Sequence, residues 1–135
     1  MTQTNETMRQ ETMQKTTRIL TVDDSASMRA LLLHALSTSG FDVAQADDGQ
    51  SALEWLQLNE VDVVITDINM PRLDGFGLIE ALRAGTRHRD RPILVLTTES
   101  SDEKKARARQ MGATGWIVKP FDATKLVAAV RRVSH

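Results

Sequence analysis

Residues 61–71 read VDVVITDINMP, and this stretch decides the fold class. Val61, Val63, Val64, Ile65 and Thr66 are all β-branched. A strand buried on both faces reads as such a continuous run, and strands of that kind belong to parallel sheets covered by helices. The run ends on Asp67, and Pro71 and Gly75 then break the chain into a loop. Three more apolar runs end the same way. ILTV (19–22) leads into Asp23 and Asp24, ILVL (93–96) into Thr97, and WIV (116–118) into Lys119. Phe41 to Ala46 supplies a fifth, weaker strand candidate.

Helical periodicity fills the gaps between these runs. Met28, Leu31, Leu32, Ala35 and Leu36 follow the i, i+3, i+4, i+7, i+8 spacing of an amphipathic helix that stops at Gly40. Asp24 or Ser25 is placed to cap it. Asp48 can cap a helix carrying Ala52, Leu53 and Leu56. Phe76, Ile79 and Leu82 make another helix face, and Leu126, Val127, Val130 and Val133 the last one. Ser100 with Glu103 has the capping-box spacing and opens a segment over 102–111. That segment carries few apolar residues, chiefly Met111, Ala106 and Ala108, so it buries little area and moves cheaply. Five strands alternating with five helices predict an α/β domain with a doubly wound parallel sheet and right-handed crossovers. Residues 1–17 are polar, without usable periodicity, and read as a flexible arm; the folded domain is expected over 18–135.

In such a sheet the carboxyl ends of the strands open onto one crevice, where ligands bind. Three acids, a hydroxyl and an ammonium then converge. Acids gather a hard cation such as Mg²⁺, and cation, hydroxyl and ammonium together hold phosphoryl oxygens. Each residue also has a plainer reading. Asp24 can be a helix cap, Asp67 a turn residue before Pro71, and Thr97 an ordinary strand threonine. Lys119 can be a solvent-facing lysine, although Pro120 keeps it extended and aimed at the crevice. Their joint order is the signal. The histidines show no metal-ligand spacing; His34 reads as a surface residue, and His88 in the basic loop 87–91 as part of a solvated face.

Composition narrows the function classes. The chain has 135 residues, 41% hydrophobic and 26% charged, which suits one globular domain. A net charge of −1 gives no general drive toward nucleic acid or an anionic membrane. No apolar stretch approaches the ~18 residues of a membrane span. The absence of cysteine removes disulfides, thiolate zinc sites and Cys nucleophiles. No Gly-rich phosphate loop occurs. A cytoplasmic location is the expectation.

The stretches VDDSASMR, ADDGQSALEWL, VVITDINMPRLDGF, PILVLTTES and MGATGWIVKPFD together resemble the receiver domain of two-component response regulators, over residues 18–133. The likeness is greatest to the single-domain chemotaxis type. The resemblance implies a flavodoxin-like fold with strand order 2-1-3-4-5. It implies that Asp67 takes a phosphoryl group from a histidine kinase. Asp24 and Asp67 would hold Mg²⁺ directly, with the backbone carbonyl of Asn69, and Asp23 would act through water. Lys119, ahead of a cis Pro120, would hold a phosphoryl oxygen. Thr97 and Trp116 would form the switch, with Asn69 and Glu99 tuning the phosphate lifetime as in the chemotaxis type. Two positions depart from the usual pattern. Thr98 is bulkier than the common Ala or Gly, and Trp116 is larger than the common Tyr or Phe, which restricts its inward turn.

The expected function is that of a stand-alone phosphoacceptor, not an enzyme beyond its own phosphotransfer and slow dephosphorylation. It would act as a monomer on an output protein bound through the 97–119 face, where Lys104, Lys105, Arg107 and Arg109 supply positive charge. Alternatives are a phosphate shuttle, a kinase adaptor, or an interaction module that works without phosphate. A phosphatase using Asp67 as nucleophile is disfavoured, because Asn69 stands where the haloacid-dehalogenase type carries a second Asp.

Overall fold

The computed structural model describes residues 16–134. Five strands run in parallel: β1 (Arg18–Val22), β2 (Asp42–Ala46), β3 (Val63–Thr66), β4 (Ile93–Thr97) and β5 (Gly115–Val118). Their order across the sheet is β2-β1-β3-β4-β5. Five helices follow them: α1 (Ala26–Ser37), α2 (Gly49–Leu56), α3 (Gly75–Ala84), α4 (Asp102–Met111) and α5 (Ala123–Val133). Alternation along the strands divides the core into two layers. Leu20, Val22, Val64, Ile93 and Val95 face α2 and α3, packing with Ala52, Leu56, Phe76, Leu78 and Ile79. Ile19, Val63, Ile65, Leu94 and Leu96 face the other way, onto Leu32 and Leu36 of α1 and Leu126, Val127 and Val130 of α5. β3 and β4 are buried at every position, so their sequences show no polar alternation.

Every helix starts on a capping side chain. Ser25, Asp48, Asp74, Ser101 and Asp122 each accept a hydrogen bond from the amide three residues on. Such a cap is worth about 1 kcal/mol. For α4 the cap is Ser101, which displaces the expected Ser100–Glu103 box by one residue. α4 buries only Ala108 fully, as its composition predicts, and Arg107 lies over the Phe76 ring at 4.0 Å. No helix among the described residues is long and apolar enough to cross a membrane. Residues 1–15 of the expected arm, and His135, lie outside the described residues.

His88 corrects the sequence reading. It is only 4% exposed, and its Nε2 has no hydrogen-bond partner, although its neighbours Arg87 and Arg89 are exposed. The basic loop is solvated except at this ring, which the chain tucks under itself between the α2 and α3 ends. Burial, then Arg87 and Arg91, push its pKa down, against a smaller upward pull from Glu60. The unfolded chain therefore takes the proton first as pH falls through about 6.5, and folding stability drops below that point. Melting temperature is expected to decline between about pH 7 and pH 5, and His88→Gln to flatten that decline.

Candidate functional site

β1 and β3 are neighbours, but β1 continues into α1 on one face of the sheet and β3 into α3 on the other. This reversal opens a crevice at their carboxyl ends, the usual ligand position in open α/β sheets. Asp23, Asp24 and Asp67 stand there, each offering a carboxylate oxygen within 4.8 Å of the others. Asp23 and Asp67 are buried and Asp24 is exposed.

The backbone positions each group. The Asp67 amide donates to the Val22 carbonyl at 2.9 Å, and the Asp23 amide donates to Ala46 at 3.1 Å, so the strand ends are locked side by side. Asp23 Oδ1 accepts from the Ser25 amide at 2.9 Å, and Asp67 Oδ1 from the Ile68 amide at 2.6 Å. Arg29 of α1 donates to the Asp23 carbonyl at 2.7 Å. The Lys119–Pro120 peptide is cis. Lys119 reaches in from the end of β5 and donates to both buried acids, at 2.7 Å to Asp23 Oδ2 and 2.6 Å to Asp67 Oδ2. Burial pulls the ammonium down, but the bonds to Asp23 and Asp67 outweigh it, and its pKa ends above the ordinary lysine value. One ammonium against three carboxylates leaves the pocket short of positive charge.

A second cluster lies at the pocket rim. Thr97 is fully buried, and its Oγ1 accepts only a long 3.4 Å bond from the Glu99 amide. The Trp116 indole packs against the core and donates to the Glu99 carbonyl at 3.0 Å. The Glu99 carboxylate accepts from Asn69 at 3.2 Å and from Lys104 at 2.9 Å. Lys104 first, then Asn69, hold its pKa below the ordinary carboxylate value. Thr98 points to solvent beside this group.

Asp23, Asp24, Asp67 and Lys119 are thus drawn into one pocket, with Asn69, Thr97, Glu99 and Trp116 linked along its edge. Sequence reasoning did not single out the contacts of Arg29 with Asp23 or of Lys104 with Glu99. It also read Asp48 only as a cap, whereas Arg72 binds it in a fork at 2.7 and 3.1 Å. Arg72 and Asp48 lie 24 positions apart and leave no local pattern, while the two nearer pairs cross a strand-to-helix turn and so fall outside the i, i+3 and i, i+4 spacings of a helix.

A family model described as "Response regulator receiver domain" matches residues 19–131. The chemotaxis protein CheY of Pseudomonas aeruginosa is 38% identical over 117 residues, covering 86% of this chain and 94% of that protein. CheY-3 of Vibrio cholerae is 41% identical over 113 residues, covering 83% and 87%. Among solved structures, the chemotaxis response regulator CheY4 of Vibrio cholerae superposes with a TM-score of 0.83 at 43% identity, covering 88% of this chain and 99% of that one. The transcriptional regulatory protein PrrA of Mycobacterium tuberculosis is 42% identical over 114 residues, which make up only 48% of its length. With the pocket, the sheet order and these matches in agreement, the chain belongs to the response-regulator receiver domain family.

Proposed function

We propose that this domain is a phosphorylation switch in which Asp67 accepts a phosphoryl group from a histidine kinase and the 97–119 face passes the signal to an output protein. The observation that carries the reading is the pocket itself: three clustered carboxylates, two of them sharing Lys119. The donor set suits a hard divalent ion. Carboxylates are the ligands Mg²⁺ prefers, and Asp23, Asp24 and Asp67 together with the Asn69 carbonyl would hold it. When bound, the ion neutralises charge on the transferring phosphoryl oxygens.

The chain's own residues do the rest. Asp67 forms an O–P bond while the bond from phosphorus to the donor's imidazole nitrogen breaks, its electron pair returning to the ring. The Ile68 amide and Lys119 orient the Asp67 oxygens before the encounter. Lys119 then meets the new phosphoryl oxygens. Phosphorylation brings roughly −1.5 to −2 charge and three acceptors. Thr97, held by one long bond, can turn its hydroxyl to one of them. The new bond from Thr97 to a charged group supplies about 1.5–3 kcal/mol, and Lys119, already bonded to Asp23 and Asp67, adds the difference between its old and new partners, against about 5.5 kcal/mol needed to move a population from 1:99 to 99:1. The loosely packed α4, tied to the site through Glu99 and Lys104, is the element that responds. No Lys or Arg occurs from residue 30 to residue 71, while α4 alone carries four, so the output face favours an acidic partner. The output reading in chemotaxis rests on likeness to CheY proteins.

Acetyl phosphate with Mg²⁺ should yield one adduct, mapped by mass spectrometry to Asp67, with a change in tryptophan fluorescence. An adduct elsewhere, or the same yield with the metal chelated, overturns the reading.

A further inference from the structure

The turn between β2 and α2 touches both walls of the acidic pocket. On one side its Ala46 carbonyl accepts from the Asp23 amide at 3.1 Å. On the other, the Gly49 amide donates to the Leu73 carbonyl at 3.0 Å, in the loop that leaves Asp67. The approach is so close that a Cβ on Gly49 would sit 2.5 Å from that oxygen. Asp48 completes the link. Its two oxygens accept Nε and Nη2 of Arg72 at 2.7 and 3.1 Å, and Arg72 Nη2 also reaches Ser51 Oγ at 2.6 Å. Arg72 first, then the Ser51 amide, lower the Asp48 pKa to about 2.

From these contacts we infer that Asp48 and Arg72 form a brace that sets the loop carrying Asn69 against the wall carrying Asp23, and so act as positioning residues for the chemistry at Asp67. The inference rests on the phosphoacceptor reading above. Arg72 adopts φ 66°, the only non-glycine residue with positive φ among those described. Glycine would serve that backbone better. Half of the Arg72 side chain faces water while Asp48 is buried, so solvent screens the pair from the arginine side only. A positive φ at an arginine is explained by where its fork holds the loop. The loop is closed at its base by the Gly75 amide on the Ile68 carbonyl and within itself by the Leu73 amide on the Pro71 carbonyl; Met70 rests on the core and Asn69 on Glu99. The α2 start adds the lateral hold at the far end of this loop, through Arg72 and the Leu73 carbonyl.

Arg72→Gly removes the brace while relieving φ. Its melting temperature should stay within a few degrees of the native chain's, because relief of φ offsets part of the lost ion pair. Its Mg²⁺ dissociation constant, read by tryptophan fluorescence, should rise roughly tenfold, the usual effect of losing a group that orients metal ligands, and its phosphorylation rate by acetyl phosphate should fall in step. Asp48→Asn keeps a competent cap and should reproduce both changes, and Arg72→Lys should not restore them because it lacks the fork. Native Mg²⁺ affinity and rate in Arg72→Gly overturn the brace while leaving Asp67 as acceptor. Failure of the native chain to take phosphate overturns the phosphoacceptor reading instead.

Discussion

Asp67→Asn is expected to take up no phosphoryl group from acetyl phosphate, with no acid-stable or acid-labile adduct left anywhere in the pocket. An amide nitrogen or oxygen is a poor nucleophile toward phosphorus, and neither Asp23 nor Asp24 can substitute. Both buried acids have their two oxygens hydrogen-bonded, but Asp23 is 1% exposed against 9% for Asp67, so it is closed to an incoming phosphodonor. Asp24 is exposed and lacks the lysine contact that the other two acids share. The same change removes one of three clustered negative charges and leaves Lys119 paired with Asp23. Like charges at close range oppose folding. Without metal the variant should therefore melt at or above the native temperature. Phosphotransfer lost with stability retained is the signature of a charged acceptor. A variant that still labels, or that unfolds, contradicts the assignment.

Gly75→Ala should be the most damaging single methyl in the domain. A Cβ there would stand 2.2 Å from the Asp67 carbonyl oxygen and 2.8 Å from Ile68 Cα, both backbone atoms that cannot rotate away. The Gly75 amide also donates to Ile68 at 2.8 Å, closing the loop that follows Asp67. The start of α3 would have to retreat, opening the loop and loosening Phe76 and Leu78 from the core. A loss of about 3 kcal/mol is expected, at the upper end for overpacking, seen as a melting temperature lower by on the order of 10 °C. Gly85→Ala is the control. Its nearest neighbour would be the Ala81 carbonyl at 3.4 Å, ordinary contact, and its stability should hardly change. Equal melting of the two variants would show that the tight approach at Gly75 is not a constraint.

Legibility differed from one part of the molecule to another for identifiable reasons. The strands around 63–66 and 93–97 could be read directly because burial on both faces leaves an unbroken β-branched or aliphatic run. The weaker 42–46 strand at the sheet edge showed a blurred pattern, with Asp42 exposed and only Ala46 buried. The α4 bounds were legible, but its cap was read one residue early, because Ser100 and Ser101 both satisfy a cap rule and only the backbone geometry at Ser101 chooses between them. His88 was misread because its neighbours are arginines. Composition reports a loop's average exposure, and a single ring turned inward leaves that average unchanged.

The order of residues along the chain was enough to set the alternation of strands and helices and to place an acid, a hydroxyl or a lysine at each strand end. Those features depend on local periodicity and on the rule that parallel sheets open at their carboxyl edge. Folding in three dimensions settled which charges meet. Lys119 joins Asp23 across 96 positions and Asp67 across 52, and Arg72 joins Asp48 across 24. Such pairings depend on strand order, on the close glycine contacts at Gly49 and Gly75, and on the directions in which loops leave the sheet. None of these has a local signature, because an ion pair acts over a few ångströms of space and is indifferent to separation along the chain.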